Sequence, residues 1–263
     1  MTVTFVVPTR NAARTISACL RSLRQQRHEQ VEIVLVDNHS TDTTASLAAP
    51  WVDQLIVAGP ERSAQRNLGA RAGTGEVIVF VDADMVLEPG VAAEAAASVG
   101  GGSHDALILP ELAFGPSFFA RCRSLEKELY LGDERVESAR AMSRTAFEAV
   151  GGWDESLTAG EDWDLTDRLR AAGFRVGRTS ARVWHDEGVV HLTDQFRKKR
   201  YYGRWVAEYV RRPGAATRRP LARTSLLSSP GRLAARPVHG GGLLLLKAVE
   251  GAGLLAGMRG APS

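Results

Sequence analysis

The run Val77-Ile78-Val79-Phe80-Val81 holds no polar residue and breaks directly into Asp82-Ala83-Asp84. A strand with one face in water alternates apolar and polar residues, so an unbroken apolar run has to be covered on both faces. The pattern recurs. Val3-Thr4-Phe5-Val6-Val7 stops at Pro8, Glu32-Ile33-Val34-Leu35-Val36 ends at Asp37, and Leu55-Ile56-Val57-Ala58 and Ala106-Leu107-Ile108-Leu109 are further short runs. Helical segments lie between them. Ile16, Cys19, Leu20 and Leu23 recur at helical spacing, with Asn11 as the expected cap. Thr41 to Thr44 starts a short helix, residues 61–72 form another before Gly73 and Gly75, and Pro89 opens a fourth.

Strands alternating with helices predict an α/β fold with a Rossmann-like, mostly parallel central sheet flanked by helices. Ligands of such sheets bind at the carboxyl ends of the strands. Three polar clusters fall there: Thr9-Arg10-Asn11, Asp37-Asn38 and Asp82-Ala83-Asp84. Beyond residue 137 the spacing predicts a strand over 138–143, a helix over 144–150 and a loop at Gly151-Gly152-Trp153-Asp154-Glu155. A helix over 162–172 and a strand over 174–184 follow, the strand running into His185.

Each cluster has a plain reading and a chemical one. Two carboxylates one residue apart at a strand end are a solvated turn or an oxygen site for a divalent cation held together with phosphate. Asp37 is harder to explain as a cap than Asn38, Ser40 or Asp42, and an acid at that strand end can receive hydrogen bonds from a nucleotide base or ribose. Arg62 and Arg66 stand one turn apart; a solvated face suits Arg62, and a guanidinium suits phosphate. Glu161 and Asp162 open a helix, a place for a cap or for a rigidly held general base. A lone His185 is structural or a ligand.

Taken in order, Pro8-Thr9-Arg10-Asn11, Val36-Asp37-Asn38 with Ser40 and Asp42, the run from Arg62 to Gly69, Val81-Asp82-Ala83-Asp84, Gly151 to Glu155, Glu161-Asp162 and the late His185 resemble the family-2 glycosyltransferases of the GT-A fold over about residues 1–190. The resemblance implies a metal-dependent inverting transferase. Pro8, Thr9, Asn11, Asp37, Arg66 and Asp82 would bind the nucleotide-sugar. Asp84 and His185 would hold a Mn²⁺ or Mg²⁺ ion. Gly152, Trp153, Asp154 and Glu161 would shape the sugar and acceptor pocket, and Asp162 would be the catalytic base. The implied donor is a UDP-sugar ahead of a GDP-sugar, and the acceptor is a hydroxyl, lipid-linked or on a cell-envelope glycan. Two other classes stand beside this one. A sugar nucleotidyltransferase has a related sheet, but Thr9-Arg10-Asn11-Ala12 lacks the glycines of its phosphate loop. An inactive nucleotide-sugar-binding module is the other, against which all the acids and His185 are present.

Charge divides the chain. Residues 196–263 carry 14 Lys and Arg against Glu208 and Glu250, a net +12, which leaves 19 basic and 28 acidic residues in 1–195, a net −9. The expected organisation is a catalytic domain over 1–195 and a basic helical extension over 196–263. Residues 197–211 read as a basic helix with Tyr201, Tyr202, Trp205 and Tyr209, residues 212–240 as an irregular Pro- and Arg-rich surface segment, and 243–258 as an apolar helix too short and too charged to span a bilayer. An anionic membrane surface is one candidate partner, and packing on the catalytic domain is the other reading. Nucleic acid is the third reading of the tail, and no nucleic-acid partner is expected, because no binding motif appears and the acidic body would repel a phosphate backbone. Cys19 and Cys122 form no disulfide framework or Cys-based zinc site, and the start lacks the pattern of a signal peptide. A cytoplasmic protein, peripheral on the inner face of the plasma membrane, is the expected location.

Overall fold

Alternation along the strands explains how both sheet faces are covered. In the computed structural model, which describes residues 1–211 and 230–259, Phe5 and Val7 of strand β1 (Val3–Thr9) enter one core, with Ile33 and Leu35 of β2 (Val31–Asp37). That core packs Ile16, Cys19, Leu20 and Leu23 of α1 (Ile16–Arg24) against them. Val6 points the other way into a second core. There it joins Ala70 of α3 (Arg62–Ala72) and Ile78 and Phe80 of β4 (Val77–Phe80). Between these elements lie α2 (Thr44–Ala48), a 3₁₀ turn at Ala49–Trp51 and β3 (Gln54–Val57).

Past β4 come β5 (Met85–Leu87), α4 (Val91–Gly100), β6 (Ala106–Ile108), β7 (Glu111–Phe114), α5 (Phe118–Tyr130), β8 (Ala139–Ser143) and α6 (Arg144–Ala149). Then follow α7 (Glu161–Ala171), β9 (Val176–Arg178), β10 (Val183–Asp186), α8 (Leu192–Arg211), α9 (Pro230–Ala235) and α10 (Pro237–Arg259). The central sheet has seven strands in the order β3-β2-β1-β4-β8-β6-β9. Pairs β1–β2, β1–β4, β2–β3 and β6–β9 are parallel, whereas β8 runs antiparallel between β4 and β6. The mostly parallel, helix-flanked sheet is the expected architecture.

Local departures have physical causes. Asn11 does not cap α1: the helix begins at Ile16 after Thr15, and Asn11 sits in the left-handed region at φ 50°. The expected strand over 174–184 is two short strands, β9 in the central sheet and β10 paired antiparallel with β5. Its residues serve two sheets, so one continuous strand cannot form.

The chain divides into two compact units, Met1–Pro110 with Ser138–Ser156 and Glu161–His185, and Glu111–Glu137 with Leu157–Gly160 and Asp186–Ser263. The second unit has its own core, in which Ala120, Cys122, Leu125 and Leu129 of α5 meet Leu243 and Leu246 of α10. Its helices begin earlier than the sequence reading placed them. α8 starts at Leu192, and the expected irregular segment is helical from Pro230 to Ala235 and again from Pro237. Residues 212–229 of that segment lie outside the described residues, as do the side chains of Trp205 and Tyr209. At 23 residues, α10 is long and apolar enough to cross a membrane by length and composition, which corrects the expectation of a helix too short to do so.

Candidate functional site

The site grows from the carboxyl ends of three adjacent parallel strands in the first unit. Thr9 and Asp37 are register partners at the ends of β1 and β2, and Asp82 lies two residues past the end of β4. The loops after β1 and β2 are laced together. Thr41 N donates to Asn11 Oδ1 at 2.8 Å, Asn11 N to Ser40 Oγ at 2.8 Å, and Ala12 N to Thr44 Oγ1 at 2.7 Å. Asp37 is 2% exposed, and it receives the Ser40 backbone N–H at 2.9 Å and the Ser40 hydroxyl at 2.5 Å. These bonds close a turn and cap no helix, since α2 begins at Thr44 behind Thr43. Pro8 is buried beside it. The Thr9 hydroxyl is buried without a hydrogen-bond partner among the described residues, an uncommon cost that a ligand hydrogen bond would remove.

Helix α3 brings its polar side chains beneath this edge. Gln65, not singled out in the sequence, donates to Thr9 O at 3.1 Å and to Val36 O at 2.6 Å and pins α3 to both strand ends. Arg66 is fully buried. Its Nη2 lies 2.8 Å from Asp82 Oδ1, and its Nη1 lies 3.3 Å from Asp162 Oδ1 and 3.5 Å from Glu161 Oε1. Its guanidinium also covers the Trp153 ring at 4.4 Å, a stacked cation that gains from desolvation.

Arg140 closes the same network. It stands on antiparallel β8, with Nη1 3.3 Å from Asp82 Oδ2 and Nη2 3.5 Å from Asp162 Oδ2. Sequence reasoning missed it, because nothing local marks a lone arginine in a short strand. Arg62 is also not merely a solvated side chain: its Nη2 sits 3.1 Å from Glu161 Oε1. Burial alone would raise the Asp82 carboxyl, but Arg140, Arg66 and Arg62 outweigh it and hold Asp82 well below the usual carboxylate range. Glu161 goes the other way, raised by burial and by the neighbouring Asp162 carboxylate against the pull of Arg62 and Arg66.

The Gly151–Glu155 loop docks on α3 through Asn67, a second residue the sequence did not single out. Its Nδ2 donates to Trp153 O at 2.9 Å and Glu155 Oε1 at 2.8 Å, and Trp153 N donates back to Asn67 Oδ1 at 2.9 Å. Gly152 makes this possible: its φ is 69°, and a Cβ there would lie 2.7 Å from Asn67 Oδ1. Trp153 is 2% exposed and meets Phe80 edge-on at 5.1 Å, so its ring fills the core and offers no surface to a pocket. Asp154 turns onto its own loop, accepting from Ser156 N at 2.9 Å and Ser156 Oγ at 2.6 Å. Glu161 is 5% exposed and tied to arginines, a placement that also withdraws it from an open pocket.

Asp84 and His185 meet although 101 residues separate them, with Nε2 3.0 Å from Oδ2. The antiparallel pairing of β5 and β10 aligns His185 with Met85 and so sets it beside Asp84. Among the described residues no group of three or more His, Cys, Asp and Glu forms a ready cation cage. One carboxylate and one imidazole, both partly exposed, nevertheless fit a divalent ion that takes its remaining ligands from a diphosphate. Asp82 fits that role less well, since Arg66 and Arg140 engage both its oxygens.

A mostly parallel, helix-flanked sheet with acids and a buried threonine at its carboxyl edge, and a histidine brought beside Asp84 by the pairing of β10 with β5, is the GT-A architecture. The same fold is found in a mannosyltransferase from Pyrobaculum calidifontis in complex with GDP-Man and Mn²⁺ (TM-score 0.63, 22% identity, 98% of this chain and 86% of that one). It is found again in S. aureus TarS 1-349 in complex with UDP-GlcNAc (TM-score 0.56, 18% identity, 98% of this chain and 90% of that one). Residues 4–119 match the model of glycosyl transferase family 2, so the chain carries a family-2 glycosyltransferase domain. It is 31% identical over 225 residues to the pre-mycofactocin glycosyltransferase of Mycobacterium tuberculosis, covering 76% of this chain and 46% of that protein. The chain thus spans about half the length of this curated relative.

Proposed function

We propose that this chain transfers a sugar, with inversion, from a nucleotide-sugar to an acceptor hydroxyl. The observation that carries the reading is the meeting of Asp84 and His185 at 3.0 Å, with Asp84 two residues past the partly buried Asp82 at the strand edge where Thr9 and Asp37 are buried. The GDP-Man and UDP-GlcNAc complexes of the two structural neighbours support a nucleotide-sugar donor. A UDP-sugar is the first expectation here and a GDP-sugar the second. The family match speaks against the nucleotidyltransferase alternative.

In this reading Thr9, Asn11 and Asp37 receive the base and ribose, with Thr9 Oγ1 gaining the partner it lacks. Asp84 and His185 would hold a Mn²⁺ or Mg²⁺ ion, which when bound neutralises negative charge on the departing diphosphate. Asp162 is partly exposed, and Arg66 and Arg140 hold its carboxylate in place. It takes the proton of the acceptor hydroxyl while that oxygen bonds to the anomeric carbon. The bond from that carbon to the diphosphate breaks, and its electron pair leaves with the diphosphate. Fixing both reactants supplies much of the rate. The acceptor is lipid-linked or part of a cell-envelope glycan, and the basic second unit docks on an anionic membrane on the cytoplasmic side.

Asp162→Asn tests the base. It should bind donor as the wild type does, read as a nucleotide-sugar-dependent rise in melting temperature, and lose transfer by about 10²–10⁴-fold. Normal turnover by this variant refutes the assignment.

A further inference from the structure

Helix α10 presents an apolar face to solvent. Val238, Leu244, Leu245 and Leu255 are each half or more exposed, at 68%, 54%, 50% and 56%. With exposed Ala248 and Ala252, their spacing puts them on one side of the helix. The opposite side is covered within the same unit. Gly242 touches Phe118 and Cys122 of α5, and Gly253 and Gly257 pack on the backbone of α8 at Phe196 and Arg200.

The two charges inside α10 are turned to this covered side. Glu250 pairs with Arg123 at 2.6 Å and with Lys247, and Lys247 pairs with Glu126 at 2.7 Å. The outer stripe from Val238 to Leu255 is therefore uncharged over about 25 Å of helix. Cationic side chains stand exposed at its ends, Arg232 and Arg236 before it, the latter in a solvent-exposed pair with Glu128 at 3.1 Å, and Arg259 after it. Arg197, Lys198 and Arg200 are exposed on α8.

We propose that α10 lies in the plane of an anionic bilayer surface, its Leu244, Leu245 and Leu255 face in the boundary between headgroups and acyl chains and its terminal arginines on lipid phosphates. This deepens the membrane-docking reading above and does not depend on the transfer chemistry. Crossing the bilayer is disfavoured, because α5 and α8 occupy one side of α10 and the exposed cations of α8 would enter hydrocarbon with it. Self-association is disfavoured too: an antiparallel pair of α10 helices would set the arginines at one end of each stripe against those at the other end of its mate. Anionic headgroups complement the same arginines.

The test is flotation of the full chain with vesicles of equal parts phosphatidylglycerol and phosphatidylcholine, and with pure phosphatidylcholine. The chain should float with the first and weakly with the second, and high salt should weaken the first. The triple variant Leu244→Gln, Leu245→Gln, Leu255→Gln should partition about 100-fold less well. Its melting temperature, and the rise that donor produces in it, should stay unchanged. Flotation of that variant equal to wild type overturns the assignment of the face while leaving membrane docking intact. No flotation of wild type even at low salt overturns both. A dimer seen by light scattering that the triple variant abolishes overturns the proposal in favour of a second copy on this face. Transfer activity on a soluble acceptor reports separately on the chemistry.

Discussion

Replacing Arg140 with methionine deletes one cation from a balanced cluster at close to constant side-chain volume. Arg62, Arg66 and Arg140 face Asp82, Glu161 and Asp162. Three guanidinium groups thus meet three carboxyl groups, and the variant removes the cation that lies beside both Asp82 and Asp162. Arg140 lies 3.3 Å from Asp82 and 3.5 Å from Asp162. At an effective dielectric of about 20, the 3.3 Å pair alone is an attraction of about 5 kcal/mol. Arg66 at 2.8 Å keeps part of the compensation, and residual solvent access lowers the rest, so the expected destabilisation is about 2–3 kcal/mol. Urea unfolding followed by circular dichroism measures it. The decisive comparison is a double-mutant cycle with Asp82→Asn. Once Arg140 is gone, neutralising Asp82 should cost less than it does in the wild type, a coupling of about 1–2 kcal/mol. A single variant within about 0.5 kcal/mol of wild type, or a coupling below that value, would refute the claim that charge balance holds these acids in place.

Other expectations follow from single contacts. Gly152→Ala forces a side chain into the left-handed region and against Asn67 Oδ1 at 2.7 Å, and should lower stability by about 1–3 kcal/mol in the same unfolding assay. Asp84→Asn should abolish the extra rise in melting temperature that Mn²⁺ adds to a nucleotide-sugar, while the metal-free nucleotide effect persists; an undiminished metal effect would remove Asp84 as a ligand. Burial raises the Glu32 carboxyl, but hydrogen bonds from Thr4, Thr74 and Gln54 outweigh it and lower it below its usual value. Its folded pKa is the lower one, so its contribution is complete above the unfolded value near 4.3 and fades as pH falls through the folded value. The stability gap between wild type and Glu32→Gln should therefore shrink on acidification below about pH 5, and a gap constant with pH contradicts the hydrogen-bond account. Gly253→Val places a Cβ 2.6 Å from Phe196 O, so α8 and α10 must separate, and the cost should appear as a melting temperature lowered by several degrees.

The parts of the molecule that were legible are those whose signal is local. Strands covered on both faces leave unbroken apolar runs, and their carboxyl ends appear as abrupt polar clusters, so Thr9, Asp37 and Asp82 could be placed together before any coordinates. Asp84 and His185 were legible as a pair only through family resemblance, since the pairing of β5 with β10 leaves no trace in spacing. Arg140 was not legible at all. Its proximity to Asp82 depends on β8 entering the sheet antiparallel between β4 and β6, out of chain order. Glu161 and Trp153 were legible as residues but not as to environment. Both read as pocket residues; Glu161 is tied to Arg62 and Arg66, and Trp153 is enclosed between the Phe80 core and the Arg66 guanidinium.

The second unit fails differently, and one cause accounts for its misread boundaries. Proline usually marks irregular chain, and Pro237 falls at the end of the 212–240 segment expected to be irregular on that ground. Proline is favoured in the first turn of a helix, where its missing N–H bonds nothing, and α10 begins on Pro237. Its glycines are tolerated because backbone has to come close: Gly242 at Phe118 and Cys122, Gly253 and Gly257 at α8. The charges mislead in the same way. Lys247 and Glu250 count against burial in any hydropathy average, yet they are the residues turned inward, because Arg123 and Glu126 wait there. A helix whose Lys247 and Glu250 face its own protein while Leu244, Leu245 and Leu255 face solvent inverts the usual amphipathic pattern. That inversion is intelligible if the solvent on its outer side is lipid.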